Sequence, residues 1–123
     1  MTAMARAAYA SPDAPVRTQR ATEYDAIARI TARLKAADAP DGVEFAKLAA
    51  ALHDNRKLWA TLAADVAEPE NPLPGALRAR ILYLAEFTDH HSRKVLARQA
   101  GADPLIEINT AVMRGLRGDG GVG

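Results

Sequence analysis

The stretch NRKLWATLAADVAEPENPLPGALR, residues Asn55–Arg78, decides the fold of this chain. Its first half continues an apolar face whose members recur every three or four residues, the period of one side of an α-helix. Asn55 is the single polar member of that face, which consists of Phe45, Leu48, Leu52, Asn55, Trp59, Leu62 and Val66. A loop with three prolines then interrupts the helix, and a new helical pattern starts near Leu77. The stretch therefore predicts two helices that meet at a corner.

Similar patterns outside this stretch predict two further helices. The four segments run from about Thr18 to Ala37, from about Val43 to Ala67, from Pro72–Gly75 to about Ala100, and from Asp103 to Leu116. Asn71 is predicted to cap the third helix, Gly101 to end it as a C′ glycine, and Asp103 to cap the fourth. No segment alternates with period two. The predicted fold class is therefore all-α, a small antiparallel bundle of about four helices.

Length and composition predict one domain with a terminal extension on each side. Residues 1–17 contain two separated prolines and no sustained period, so we expect a flexible N-terminal arm. Residues 18–116 form the helical domain, and the glycine-rich residues 117–123 are expected to be a disordered tail. Apolar residues make up 49% of the chain, but nearly half of them are alanine. We therefore expect a thin core that a second copy or a partner helix stabilises.

The sequence offers no pattern for catalysis, metal binding or cofactor binding. Cysteine is absent, and His90 and His91 are adjacent, so on a helix their side chains point about 100° apart. The chain has only two serines, Ser11 and Ser92, and neither has the neighbours of a nucleophile. We predict that the protein is not an enzyme, and we expect no cofactor.

Charge and hydropathy narrow the range of partners. The 16 basic and 15 acidic residues give a net charge of +1, and aromatic residues make up only 5% of the chain. These values argue against nucleic-acid binding, which favours a basic face and stacking aromatics. No apolar run approaches the ~20 residues that span a bilayer, and the N-terminus lacks the apolar core of a signal peptide. We therefore expect a cytoplasmic protein with no membrane contact.

Asn55 and Trp59 allow two interpretations. A lone asparagine in an apolar helix face fixes the register of packed helices at some cost in stability, and tryptophan packs well in a core. Alternatively, both residues face a partner helix, since tryptophan anchors interfaces.

At the corner between the second and third predicted helices, Arg78 is expected to pair with Asp65, in an exposed contact that contributes only about 0–1 kcal/mol.

A set of short motifs between about Thr18 and Leu116 carries a family resemblance. The motifs are Glu23-Tyr24, Asn55-Arg56-Lys57-Leu58-Trp59, Asp65, Asn71, Leu73-Pro74, Leu77-Arg78, His91, Val95-Leu96, Pro104-Leu105-Ile106-Glu107-Ile108-Asn109, Met113 and Gly115-Leu116. In this order and spacing they resemble FlaF, the flagellar biosynthesis regulators of alphaproteobacteria. Two features depart from that pattern: Phe87 stands where many members have tryptophan, and the arm is richer in proline and alanine.

The resemblance implies a non-enzymatic, cytoplasmic role in flagellum biogenesis. FlaF-like proteins promote flagellin synthesis or secretion and oppose an FlbT-type repressor, so flagellin is the implied partner. An export chaperone would cover a terminal amphipathic helix of flagellin by helix-in-groove binding and so prevent premature assembly. The alternative is a regulator of flagellin mRNA translation, which would need a basic face from Arg93, Lys94, Arg98, Arg29 and Arg33. A third possibility is a structural dimeric bundle without flagellin contact.

For the chaperone hypothesis, seven residues are predicted to contact the partner. Asn55, Trp59 and Leu62 form one wall of the expected groove, and Leu105, Ile108, Asn109 and Met113 form the other. The competing hypothesis places all seven in the core of the domain itself. Five further residues are predicted to shape the corner: Asp65, Asn71, Leu73, Pro74 and Arg78.

Overall fold

The computed structural model describes residues 14–38 and 44–116, and this part of the chain contains four α-helices and no strand. They are α1 (Ala14–Ala37), α2 (Phe45–Ala67), α3 (Gly75–Leu96) and α4 (Asp103–Leu116). The predicted all-α class and helix number are confirmed. The predicted tail at residues 117–123 and most of the loop after α1 lie outside the described residues.

The helices pack in the order α3, α2, α1, α4, and α3 also meets α4 over a shorter contact. Two bonds show that α1 and α4 are antiparallel: the Ala102 amide donates to Asp38 (3.1 Å), and Asn109 donates to Thr31 (3.2 Å). Helices α2 and α3 are antiparallel through the corner, as expected for helices joined by a short loop. The result is a four-helix bundle, in which the shorter contact between α3 and α4 completes the ring of helices.

The core draws mainly on α1 and α2, while α3 and α4 each contribute a single buried apolar residue. Each fully buried leucine or isoleucine stabilises the fold by about 1.5–3 kcal/mol relative to an exposed one. The buried apolar residues are Ile27, Ile30, Leu34 and Ala37 of α1, Leu48, Ala51, Leu52, Trp59 and Val66 of α2, Val95 of α3, and Ala102 and Leu105 near α4. Because α3 adds only Val95 to this set, much of its apolar surface lies outside the core.

Helix α3 ends at Leu96, about four residues earlier than predicted, and Gly101 is not its C′ residue. The left-handed position belongs to Arg98, with φ 61°. Around it the chain forms a Schellman motif, in which the Arg98 amide donates to Val95 O (2.9 Å) and the Gln99 amide to Lys94 O (2.8 Å).

A tertiary contact accounts for an arginine at a position that usually favours glycine. The Arg98 guanidinium carbon lies 4.4 Å from the centre of the Phe45 ring at the start of α2. Such a cation–π contact stabilises by about 0.5–1 kcal/mol at an exposed site, which offsets part of the cost of positive φ. The helix end therefore depends on a residue more than fifty positions away in sequence.

Helix α1 begins at Ala14, so the last four residues of the predicted arm are helical. Pro15 is compatible with this start, because the first amides of a helix have no partner within it. Residues 1–13, the remainder of the predicted arm, lie outside the described residues.

Candidate functional site

The corner between α2 and α3 is held by the Arg78 side chain. Its Nε donates to Val66 O (2.9 Å), and one terminal nitrogen donates to Glu68 O (2.8 Å). These carbonyls belong to the last turn of α2 and the residue after it, where no helical amide is available. The expected pairing of Arg78 with Asp65 is replaced by this contact, since the guanidinium satisfies two backbone acceptors at once.

Asn71 shapes the loop instead of capping α3. Its side-chain oxygen accepts from the Leu73 amide (3.0 Å), and its nitrogen donates to Asp65 O (3.1 Å). The residue before α3 is Pro74, which has no side-chain capping bond and whose carbonyl accepts from the Arg78 amide at 3.0 Å. All five residues predicted for the corner therefore lie together. Asn71 forms an Asx turn with Leu73, and it lies three residues before Pro74, which occupies the cap position.

A buried polar network joins three helices at the centre of the bundle. The Trp59 indole N–H donates to Asn109 Oδ1 (3.0 Å), and Asn109 Nδ2 donates to Asn55 Oδ1 (2.8 Å) and Thr31 Oγ1 (3.2 Å). The Thr31 hydroxyl in turn donates to Ile27 O at 2.7 Å. Each of the four network side chains is at most 2% exposed. The network therefore fixes the register of α1, α2 and α4 from inside the core.

The tryptophan determines the direction of the bonds that link it to Asn109 and Asn55. An indole nitrogen can only donate, so Asn109 must present its oxygen to Trp59 and its amide nitrogen to Asn55. Asn55 then accepts through its oxygen, which leaves its own Nδ2 without a partner in the described structure. A buried polar atom in that state costs about 1–3 kcal/mol.

The structure places most of the predicted partner residues inside the domain. Asn55, Trp59, Leu105 and Asn109 are buried, and Leu62, Ile108 and Met113 are half-buried. Of the four buried residues, Trp59 also lines a surface groove, whereas Asn55, Leu105 and Asn109 do not. These residues were predicted from helical spacing, which identifies the apolar face of a helix. That spacing is the same whether the face packs in the core or against a partner, and here it marks the inward face of each helix.

A groove lies instead on the outer side of the α2–α3 pair. Its volume is about 630 Å³, and its lining is mostly apolar. It is lined by Arg56, Trp59, Ala60 and Ala63 of α2 and by Ala79, Leu82, Tyr83, Ala85, Glu86, Thr88 and Asp89 of α3. The four alanines leave room for another helix to approach closely, since short side chains reduce the distance between helix axes.

The first half of α3 carries the exposed large apolar side chains of the described structure. Leu77 is 42% exposed, Leu82 40% and Tyr83 65%. The inward residues of α3 are buried at Thr88 and Val95, but Leu77, near its start, is exposed. Sequence reasoning missed this surface, although Tyr83 stands off the apolar stripe of α3 and Ala60 and Ala63 share one side of α2.

One end of the groove is closed by a charged cluster. Arg56 donates to Asp89 Oδ1 from two nitrogens (2.9 and 2.7 Å), and Arg93 donates to Asp89 Oδ2 (2.8 Å). Because each carboxylate oxygen is taken by a guanidinium, Asp89 ties α3 to α2 at this level.

The basic residues considered for RNA binding are partly engaged within the domain. Arg93 pairs with Asp89, Arg33 pairs with Asp54 at 2.8 Å, and Arg98 lies over Phe45. The hydrogen bond from Arg33 holds the pKa of Asp54 below its usual range. The two ion pairs neutralise charge that binding to a phosphate backbone would need.

His91 has structural contacts within the domain. Its Nε2 lies 2.8 Å from Gly101 O, and because a carbonyl oxygen can only accept, the N–H of Nε2 is the donor. The His91 ring stacks on Phe87, with ring centroids 5.3 Å apart.

In the part of the chain that the structure describes, no group of three or more His, Asp or Glu side chains is placed to hold a metal ion. None of the four described helices combines the length and apolar character that crossing a bilayer requires.

Comparison with known proteins gives one match. The family model described as "Flagellar protein FlaF" matches residues 5–116, which covers the four helices, the corner and the groove. No significant match is found among curated proteins or among solved structures. A family match over most of the chain includes every motif from Glu23 to Leu116 on which the resemblance was based. This chain therefore belongs to the FlaF family of flagellar proteins.

Proposed function

We propose that this protein is a cytoplasmic export chaperone that binds a terminal helix of flagellin and so promotes flagellin synthesis and secretion. The observation that carries the proposal is the alanine-floored groove between α2 and α3, with Leu82 and Tyr83 exposed beside it. Exposed large apolar side chains that border a groove are typical of a protein-binding surface. Family membership supplies the flagellar context.

The groove suits an amphipathic helix. Helix-in-groove recognition places apolar anchors of one helix, three or four residues apart, in a trough between two others. Here Ala60 and Ala63 would receive the anchors, while Tyr83 adds a large surface with a polar end. The flagellin helices that pack in the filament are amphipathic and lack partners before assembly, so a chaperone of this kind covers them until export.

The residues first predicted to touch the partner have a supporting role in this proposal. Trp59 lines the groove from the core side, where Asn109 holds its indole nitrogen. Asn55 and Leu105 are buried, while Leu62, Ile108 and Met113 do not line the groove. The proposed contact surface is therefore the outer side of α2 and α3.

Co-purification with flagellin tests the proposal. The chain is expected to retain full-length flagellin and to lose a flagellin truncated at the binding terminus. Ala60→Arg places a long charged side chain in the groove and is expected to weaken binding at least ten-fold. Ala50→Arg is the matched control, because Ala50 is also exposed on α2 but does not line this groove.

Three results would contradict the proposal. Absence of a complex with full-length flagellin would reject flagellin as the partner. Equal binding by Ala60→Arg and Ala50→Arg, with circular dichroism showing both folded, would reject the groove. Salt-sensitive binding to flagellin mRNA without flagellin binding would favour the translational regulator that opposes an FlbT-type repressor.

A further inference from the structure

Thr88 differs from the other buried hydroxyl residues of the described helices. Thr31 and Ser92 are also buried, and each donates to the carbonyl four residues earlier, at 2.7 and 2.6 Å. The half-buried Thr110 does the same at 2.8 Å. Thr88 is 1% exposed, and its Oγ1 has no hydrogen-bond partner. The usual way to satisfy a helical hydroxyl is therefore not used at this one position.

The residue that carries the unpaired hydroxyl lies at the groove. The Thr88 side chain lines it, next to the Arg56–Asp89 pair that fixes the two helices at this level. Buried polar atoms are normally satisfied, so the unpaired Thr88 hydroxyl indicates a group that the isolated domain does not supply.

We propose that the bound helix inserts an uncharged amide side chain, asparagine or glutamine, which bonds to Thr88 and makes this residue a determinant of partner specificity. The inference rests on the proposed function, because it defines the chemistry of the helix that the groove accepts. The oxygen of a side-chain amide accepts a hydrogen bond from the Thr88 hydroxyl, and the nitrogen of a side-chain amide donates one to the Thr88 oxygen. Either atom of the amide can therefore satisfy Thr88.

The burial of Thr88 disfavours a charged side chain at this point. Both oxygens of Asp89 are bonded to arginines, and Arg56 directs two nitrogens at one of them, so Asp89 has no free oxygen for a cation from the partner. Moving an ion of either sign from water to a buried hydroxyl is strongly unfavourable. An amide satisfies the hydroxyl without that cost. A helix whose seam is wholly apolar gains no bond to Thr88 and is therefore expected to bind more weakly than one that carries the amide.

The test is Thr88→Val, which keeps the side-chain shape and removes the hydroxyl. The free domain is expected to be at least as stable as wild type in urea, because an unpaired buried oxygen is lost. Its affinity for flagellin is expected to fall about ten-fold, the effect of one hydrogen bond of about 1.4 kcal/mol. Thr110→Val is the matched control, since its hydroxyl bonds within its own helix and lies outside the groove. That variant is expected to lose stability and to keep its affinity.

A complementary change in the partner completes the experiment. Asparagines and glutamines on the apolar face of the flagellin helix are replaced one at a time by leucine. One replacement is expected to bind Thr88→Val more tightly than it binds the wild-type domain. A stability loss in Thr88→Val would overturn the inference, because the hydroxyl would then have a partner such as a buried water.

The two proposals fail in different ways. Unchanged affinity of Thr88→Val for a flagellin that wild type binds would overturn the amide contact and leave the chaperone function standing. Absence of flagellin binding by wild type would overturn the proposed function, and the flagellin amide contact would fail with it.

Discussion

The buried network makes a specific prediction for Asn109→Leu, alone and combined with Asn55→Leu. The single substitution keeps the side-chain size and removes the central member of the network. It leaves the Trp59 indole nitrogen and the Asn55 oxygen buried without partners, whereas the Thr31 hydroxyl keeps its bond to Ile27 O. We expect the free energy of unfolding to fall.

The magnitude follows from the atoms that lose their partners. Each unsatisfied buried polar group costs about 1–3 kcal/mol, so two of them lower the free energy of unfolding by about 2–6 kcal/mol. Small domains have about 5–15 kcal/mol in total. Asn55→Leu in the same chain removes one stranded oxygen and the nitrogen that is unpaired in wild type. The double variant is therefore expected to recover about 2–6 kcal/mol relative to Asn109→Leu.

Urea unfolding measures these differences. Far-ultraviolet circular dichroism follows the helices, and fluorescence reports on Trp59, the single tryptophan of the chain. Coincident transitions from the two probes support a two-state analysis, and equal slopes allow the midpoints to be compared. Asn55→Leu alone is the internal control. It should cost less than Asn109→Leu, because Asn109 still bonds to Thr31 and Trp59.

The sign of the coupling free energy between Asn55 and Asn109 decides whether the two side chains act in one network. Two residues in one network show non-additive effects, whereas independent sites add. If the double variant is less stable than Asn109→Leu by the full cost of Asn55→Leu, the two side chains are not bonded as described. That result would refute the view that Asn55 acts through Asn109 to fix helix register.

Three further predictions concern the corner, the core and a surface pair. Arg78→Lys should lower the free energy of unfolding by about 1–2 kcal/mol in urea, because lysine cannot bond two carbonyls with one planar group. Leu34→Ala should cost about 2–5 kcal/mol in the same assay, since this side chain is fully buried. Arg33 holds the pKa of Asp54 below its usual range, so the stability it contributes is present above the unfolded-state pKa and is lost as acid protonates Asp54. Arg33→Gln should therefore reduce stability by about 0–1 kcal/mol at neutral pH, with no difference from wild type in strong acid and an Asp54 pKa nearer the usual value by NMR titration.

Local chemistry in the sequence was sufficient for the helices. Apolar spacing of three and four residues marked α2, and the prolines after Ala67 marked its end within one or two residues. These signals are readable because helix periodicity and proline geometry act over a few residues. The start of α1 and the end of α3 were misplaced, since Pro15 is tolerated in a first turn and Arg98 takes a left-handed conformation beside Phe45.

The candidate site could not be found in the same way. Periodicity selected Asn55 and Trp59 because they lie on the inward face, and it gave equal weight to a core and to an interface. The groove depends on which sides of α2 and α3 remain uncovered after packing. The position of Tyr83 off the apolar stripe, and that of Ala60 on one side of α2, therefore do not mark a groove by themselves. Similarly, nothing local indicates that Arg78 reaches back to the carbonyls of α2.

The sequence by itself determined that this chain is an all-α domain of the FlaF family, because helix signals are local and the family motifs keep their order and spacing. Only the tertiary structure decided that Trp59 and Asn55 face inward and that Thr88 is left unpaired beside a groove. The physical reason is that a hydrogen bond such as Trp59–Asn109 joins residues fifty positions apart. Its existence depends on how whole helices pack, and no short window of sequence contains that information.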